Sequence, residues 1–553
     1  MAPRDDMYDV AIVGLGPVGE LATLLLAGEG LRVLALDREA DVYSSPRVGV
    51  LDSEALRTLQ KAGVYDRASA DIILGAGAQW ASRHGQTLAT TMPTESPHGH
   101  PWLSAIYQPL LDRTLREALT GDPGVDIRLQ HTLTALTDTG DSVALTFRGP
   151  DGVVDTAHAR FVVGCDGANS MTRACIGVDM VGSTYEEPWL VVDTKLPEPL
   201  ACIPYFRFTM DPDGPRMTGR LAAGNHRWER MVMPGEDREE ISTRATARAM
   251  IAEHVDPDTV EILRHVIYTH RAKQAARWRA GRVLLCGDAA HLMPPMAGQG
   301  LNSGIRDVTN LTWKLAAVIK ADAPQTLLDS YEIERRPHVE HMTTLAINLG
   351  RLLMMRSRSG AAVRDATIRA LMRVRPLRRA VLQGRYRQPA HYTDGLLVKA
   401  PRRPAVGRLF PQPAVRTWAG AVHRLDDLTG TGWRIIGWEA DPASALSQHA
   451  QQLTRELLCA QLTTLCGPGR RPIEIGASRD VLEDTEEITR PVFGGRPFVV
   501  VRPDGYVYAN PTEKELDATI TGLVPQVVGT ANRSTPQPLP AARDTAPKEK
   551  SKA

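Results

Sequence analysis

The sequence predicts an α/β protein of more than one domain. Three observations carry this: the chain length, a glycine turn closing the first apolar run, and a Gly-Asp turn far downstream. At 553 residues the chain is longer than one hydrophobic core grows. Its apolar fraction of 43% and charged fraction of 23% are those of an ordinary globular protein. A net charge of +1 gives no electrostatic case for nucleic acid or an anionic bilayer as partner. The six cysteines (Cys165, Cys175, Cys202, Cys286, Cys459, Cys466) form no CxxC pair and no metal-ligand spacing, so buried reduced thiols and no metal are expected. The opening residues lack a charged-then-apolar leader, and no run of about 18 apolar residues could span a bilayer. The expectation is a cytoplasmic protein.

The first elements follow from pattern. Tyr8-Asp-Val-Ala-Ile-Val-Gly14 reads as a buried parallel strand running into a turn. A helix is expected from Pro17 to about residue 30, and residues 31–37 repeat the strand, closing a βαβ unit. The turn Gly14-Leu-Gly16-Pro17-Val18-Gly19 matches the dinucleotide fingerprint of a Rossmann-like domain. Gly14 allows the tight bend, Gly16 lets backbone approach a pyrophosphate, and Gly19 lets helix pack on sheet. The free N–H groups of the helix start face the anion. Asp37, with Arg38 after it, ends the second strand where a carboxylate can bond ribose hydroxyls.

Residues 54–63 and 109–119 are expected to be helical, and 72–92 and 127–163 to form strands. Asp151-Gly152 between apolar runs signals a hairpin. Residues of about 185–275 are strand-rich and read as a sheet inserted into the nucleotide domain, whose logic resumes at Gly281. Residues 306–382 turn helical. Prolines over 401–413 mark a linker to a third domain with a strand at 433–437, a helix near 444–466 and strands within 498–508. The implied division is 1–180 and 276–400 for the two parts of the nucleotide domain, 181–275 for the inserted substrate sheet, and 401–528 for the last domain. A disordered tail over 529–553 completes it. Residues 351–403 hold 14 Lys or Arg against Asp365 and Asp394, read as a solvated helical face balanced by acids elsewhere.

Two later motifs complete the chemistry. Gly164-Cys-Asp166-Gly167-Ala-Asn-Ser170-Met-Thr-Arg173 follows an apolar strand and suits a turn beneath a nucleotide, or a helix start capped by Ser170. Val283-Leu-Leu-Cys-Gly287-Asp288-Ala-Ala-His291 places Asp288 where a carboxylate can bond a polyol such as the ribityl chain. Pro295, Gly298, Gly300, Leu301 and Asn302 then open a helix whose N–H groups can face an electron-rich ring edge. One cofactor needs both the opening turn and the late Gly-Asp turn: FAD. His291 is read as a packed or capping residue, not a base.

In order and spacing, these motifs resemble those of the single-component FAD-dependent aromatic hydroxylases, relatives of para-hydroxybenzoate and phenol hydroxylases, over about residues 8–390. Trp189-Leu-Val-Val-Asp193-Thr, Gly224-Asn-His226-Arg-Trp228-Glu229 and Gly407-Arg-Leu-Phe-Pro411-Gln-Pro413 are most similar to the branch acting on 3-(3-hydroxyphenyl)propionate and 3-hydroxycinnamate. Arg502-Pro-Asp-Gly-Tyr506-Val resembles the closing strand of the thioredoxin-like domain of the phenol hydroxylase group, here without a CxxC pair.

The resemblance implies a Rossmann-like FAD-binding domain, an inserted β-sheet substrate domain and a C-terminal thioredoxin-like α/β domain. It implies non-covalent FAD, NADH or NADPH as co-substrate, and O2. The implied reaction, in aromatic catabolism, is hydroxylation of a phenolic acid to a catechol; the alternative is another phenol or a polycyclic aromatic polyketide. Arg47, after Pro46, resembles the family's cofactor-contacting arginine, and Gln108 its flavin-contacting glutamine. The carbonyl of Pro295 is implied near ring and substrate.

Asp37 departs from the commoner glutamate, and Met296-Ala297 from the Thr-Gly of some relatives. A substrate carboxylate calls for a guanidinium, with Arg207, Arg216, Arg220 and Arg227 as candidates. No catalytic residue is identified, no second fingerprint marks the nicotinamide site, and a homodimer is compatible with the sequence. The Trp-x-Trp-x-Ile-Pro of flavin halogenases and a redox CxxxxC are absent.

Overall fold

The computed structural model describes residues 7–529 apart from 202, 204, 400–402 and 471–480, and for 184–186 the backbone alone. Cys202 and the tail expected from 529 onward lie outside the described residues, except for Gly529 itself.

Strand Met7–Val13 buries Val10, Ala11 and Ile12 completely. Its unbroken apolar run is what parallel partners on both edges require, and it has them in Val33–Leu36 and Val154–Gly164. The sheet runs Arg279–Ala280, Val283–Leu285, Val154–Gly164, Met7–Val13, Val33–Leu36, Val125–Arg128. Val143–Arg148 pairs antiparallel with Val154–Gly164 and Thr132–Asp138 with Val143–Arg148, and the expected hairpin turns at Gly149–Val153. Helix Pro17–Gly28 crosses helix Gly300–Lys320 closely: a Cβ on Gly304 would stand 2.7 Å from Val18 Cγ2.

The inserted sheet has eight strands, ordered His291–Leu292, Glu261–Ala275, Met180–Lys195, Asn225–Met231, Arg216–Arg220, Phe206–Met210, Ala78–Ser82, Thr87–Thr91. Two of its strands thus come from much earlier in the chain. Alternation sorts its faces. Leu190, Val192 and Trp228 point outward, under Ala247 and Ile251 of helix Arg244–Ala252. That helix and Arg238–Ile241 lie within the region expected to be strand-rich, each started by a side-chain cap, Thr243 and Asp237 respectively. The inner face carries Trp80, Trp189, Met210 and Met231, which meet Met296 and Leu353.

The C-terminal sheet of seven strands encloses Phe410, Val415, Ile436, Leu465 and Val499. Here the helix expected over 444–466 is corrected. Helical turns end at Leu457, and Gln461–Cys466 is a strand parallel to both Arg434–Trp438 and Val481–Asp484. Burial in a sheet centre decides this segment, over its helix-like apolar spacing. The domain docks through buried ion pairs, Arg57 to Asp426 at 2.7 Å and Glu334 to Arg502 at 2.7 Å, and Lys314, on the same side as Glu334, reaches Glu334 at 2.8 Å. Several arginines of the basic stretch pair with acids elsewhere, as Arg358 does with Asp213 and Arg385 with Glu95. Cys459 is exposed, against the expectation of buried thiols, while Cys286 and Cys466 are buried.

Candidate active site

Each sequence motif ends one of three adjacent parallel strands. Gly14 follows Met7–Val13, Asp166 follows Val154–Gly164, and Gly287 follows Val283–Leu285. Cys165 donates its N–H to Val13 O at 2.7 Å and Cys286 to Gly164 O at 2.9 Å, so the three turns leave the sheet side by side. Open α/β sheets hold ligands at these carboxyl ends.

The glycines of the opening turn divide by task. Gly14 has φ +94°, and a Cβ there would lie 2.6 Å from Cys165 O. A Cβ on Gly19 would lie 1.8 Å from Gly14 O. A Cβ on Gly16 would meet nothing within 4 Å, so the space above it is open. Pro17 begins the helix, and no side chain caps that start, leaving its first N–H groups to an anion. Asp37 is fixed by the same turn: its Oδ2 accepts from Leu15 N at 2.5 Å and its Oδ1 from Glu39 N at 2.8 Å. Arg38 turns an exposed guanidinium to Glu39 at 3.2 Å.

Gln108 Oε1 accepts from the N–H groups of Arg47 at 3.0 Å and Val48 at 3.1 Å. On the other side of that loop, Arg227 donates to Pro46 O at 2.5 Å and Arg47 O at 3.3 Å. Its Nε meets Asp193 at 2.7 Å, and Arg264 also reaches Asp193 at 2.6 Å. Arg47 itself is exposed, its guanidinium 4.4 Å from the Tyr43 ring centroid. Sequence and structure thus bring Arg47 and Gln108 together, with Arg227 as a buried clamp.

Asp166 caps its own turn, accepting from Ser170 Oγ at 2.5 Å and Thr172 N at 2.8 Å, while Ser170 caps the short helix that follows. Arg173 ties this turn to the next through Ala289 O at 3.0 Å. Asp288 accepts no hydrogen bond among the described residues and is exposed. Surrounding protein nonetheless pushes its carboxyl above the ordinary value, with His291 and Arg47 opposing. Both hold together for a carboxylate standing in an open recess. His291 is buried and bonded to Asp307 at 2.6 Å, a packed residue as expected.

Gly298 is left-handed, and Asn302 ties it down: Nδ2 donates to Gly298 O at 2.7 Å, and Oδ1 accepts from Asp52 N at 2.9 Å. Pro295 opens the turn before it, Gly300 opens the long helix, and Leu301 is buried in the core. Glu229, Tyr268 and Arg264, on the inner face of the inserted sheet, were missed by sequence reasoning. Alternation within a strand could have placed Glu229 beside Arg227's face, but only register brings Arg264 and Tyr268 there.

The open cradle at Gly16 and the unpartnered carboxylate of Asp288 fit a molecule with a phosphate at one end and a polyol at the other. They define a flavin-dependent oxidoreductase. The comparisons agree: residues 7–346 match the family described as FAD binding domain, and 407–526 match the HcaD C-terminal domain. The chain is 37% identical over 511 residues, 90% of its length and 93% of the relative's, to the 3-(3-hydroxy-phenyl)propionate/3-hydroxycinnamic acid hydroxylase of Burkholderia cenocepacia. It is similar to the p-nitrophenol 4-monooxygenase PnpA from Pseudomonas putida (26% identity, TM-score 0.63, 69% of this chain and 98% of that one). The flavin-dependent monooxygenase PieE, solved with FAD and substrate, shares the fold (21% identity, TM-score 0.75, 95% and 100% covered). The chain belongs to the FAD-dependent aromatic hydroxylases. Among the described residues, no helix is long and apolar enough to cross a membrane.

Proposed function

We propose that the chain hydroxylates 3-(3-hydroxyphenyl)propionate and 3-hydroxycinnamate to the 2,3-dihydroxy products, in the cytoplasm, with NADH or NADPH and O2. The likeness to a hydroxylase of those acids over nine-tenths of the chain carries this reading. Gly14, Gly16, Pro17, Val18, Gly19, Asp37 and Arg38 would hold the adenylate half of FAD, and Asp166, Gly287 and Asp288 its centre. Arg47, Gln108, Pro295, Gly298, Gly300, Leu301 and Asn302 would surround the ring. Bound FAD, reduced by the nicotinamide, supplies the activated oxygen.

The chain's own residues bind and shelter the substrate. Trp80 and Phe208 stack at 4.6 Å between ring centroids and, with Trp189, Met231 and Met296, form an apolar wall that excludes water. None of the four arginine candidates offers a free fork to that wall. Arg227 is engaged by Asp193 and two carbonyls, Arg216 pairs with Glu253 at 2.7 Å, and Arg207 donates to Gly85 O at 2.5 Å. Arg220 shares the outer face with Thr218, which bonds His226.

The test is turnover of 3-(3-hydroxyphenyl)propionate by the purified FAD-loaded protein with NADH or NADPH in air. A catechol in near-stoichiometric ratio to nicotinamide oxidised supports the assignment. Peroxide as the only product contradicts it, and faster turnover of another phenol or a polycyclic one moves the assignment within the family.

A further inference from the structure

Glu229 is a buried carboxyl without a hydrogen bond. It lies on strand Asn225–Met231, between Arg227 and Met231 on the inner face of the inserted sheet. Its side chain is 11% exposed, and no described residue donates to it. Its nearest cation is Arg227, 3.9 Å away and already committed to Asp193, Pro46 O and Arg47 O. Its cross-strand neighbours, Val191 and Met217, are apolar. Buried acids are otherwise paired or hydrogen-bonded. No described residue supplies a donor, and the carboxyl stays open to the space in front of the sheet, where a ligand can supply one.

The position fits that reading. Toward Arg227 the strand meets the loop of Pro46 and Arg47; toward Met231 it meets the cluster holding Met296, the residue after Pro295. Glu229 therefore stands on the sheet face between the two segments that would flank the flavin ring. The charged groups around it are Arg227 on its own strand, Asp193 on Met180–Lys195 and Arg264 on Glu261–Ala275, and Arg264 in turn donates to Tyr268 Oη at 3.1 Å. Tyr107 adjoins the same cluster. Burial pushes the Glu229 carboxyl up to about 7, Arg227 pulling the other way, so acid and base forms coexist near neutrality. That is where a general base works best.

Resting on the hydroxylase reading above, we propose that Glu229 accepts the hydrogen bond of the substrate's phenolic hydroxyl and takes its proton. The phenolic O–H bond breaks, the proton passes to a Glu229 carboxylate oxygen, and the electron pair left on the phenolic oxygen makes the ring a stronger nucleophile. Arg227 and Arg264 offset the charge of the resulting phenolate. When the oxygenated ring carbon sheds its hydrogen as a proton to solvent and the ring regains aromaticity, the catechol oxygen recovers its proton from Glu229.

The experiment uses the FAD-loaded enzyme without nicotinamide, and the variants Glu229→Gln and Glu229→Asp. The probe is 3-(3-hydroxyphenyl)propionate, whose phenolate is visible by ultraviolet difference absorbance and forms in water only near about pH 10, as for tyrosine. In the wild type the bound probe becomes phenolate as pH rises through about 7, because Glu229 is then free to accept the proton. In Glu229→Gln the bound probe stays neutral across that range. Hydroxylation falls on the order of 100-fold while FAD content and flavin reduction hold, and Glu229→Asp recovers part of both readouts. Wild-type ionisation and rate in Glu229→Gln would overturn the proposal, as would equal loss of FAD from both variants. Glu229-dependent ionisation in an enzyme that leaves 3-(3-hydroxyphenyl)propionate untouched would sink the substrate assignment and leave the role of Glu229 standing.

Discussion

Asp307 holds Gly287 from below: its Oδ2 accepts the Gly287 N–H at 3.1 Å and also meets His291 Nε2 at 2.6 Å. Arg335 meets its other oxygen at 3.0 Å. Burial opposes ionisation of Asp307, but His291 and Arg335 keep its carboxyl below the ordinary range. The turn that presents Asp288 is thus anchored to the long helix by a buried charge network.

Breaking that network leaves Arg335 buried without its charge partner. Asp307→Asn should destabilise the protein by about 3–5 kcal/mol. It should also weaken FAD binding, because Gly287 loses its anchor. Thermal unfolding and flavin titration check the two effects separately.

Gly16 and Gly19 should respond oppositely. Gly16→Ala places its methyl in open space at φ −80°, an unstrained value, so the fold keeps its stability while FAD affinity falls. Gly19→Ala drives its methyl into Gly14 O and should fail to fold or melt far lower. Melting temperature and bound flavin, measured on both, separate ligand approach from helix packing.

Glu334 governs how the C-terminal domain sits. Burial opposes its charge, but Arg502 and Lys314 hold its carboxyl down to about 2. A depressed carboxylate contributes stability above its unfolded pKa and loses it as pH falls through the folded one. Acid titration from about pH 4 to 2 should therefore loosen the domain interface. Glu334→Gln should remove that acid-dependent step and cost about 3–5 kcal/mol at neutral pH. Unfolding followed by Trp433 and Trp313 fluorescence, rings that meet edge-on at 5.7 Å, reads this interface.

Asp112 gives the opposite sign. Burial pushes its carboxyl up to about 7, against the hydrogen bond from Gln108 at 3.2 Å. A raised carboxyl contributes stability below its unfolded pKa, lost as pH rises through about 7. Glu20, which burial and Asp112 raise against the pull of Arg116 at 2.9 Å, adds to the same trend. The apoprotein should weaken as pH rises from about 4 to about 7 and level off above that, and Asp112→Asn should flatten that slope in urea unfolding at stepped pH.

The α/β class and the turn chemistry were legible because both are local. The apolar run before Gly14 and the spacing to Gly19 fix a strand, a turn and a helix within one short segment. Asp37 and Asp288 could be picked out because each follows a short buried strand. The remainder depends on register between distant strands. Arg227 could be named only as a candidate for a substrate carboxylate, because its partners Asp193 and Pro46 are 34 and 181 positions away. Gln461–Cys466 read as helix because its parallel neighbours, which bury it, lie elsewhere in the chain. Ala78–Ser82 joined the inserted sheet only through pairing with Phe206–Met210.

Asp288 is the most direct test of the account that three strand-end turns grip one FAD. Its carboxylate has no protein partner among the described residues, so Asp288→Ala should leave the melting temperature of the apoprotein unchanged. The same variant should bind FAD at least tenfold more weakly, measured by flavin fluorescence titration. An unchanged FAD affinity in the folded variant would contradict the account.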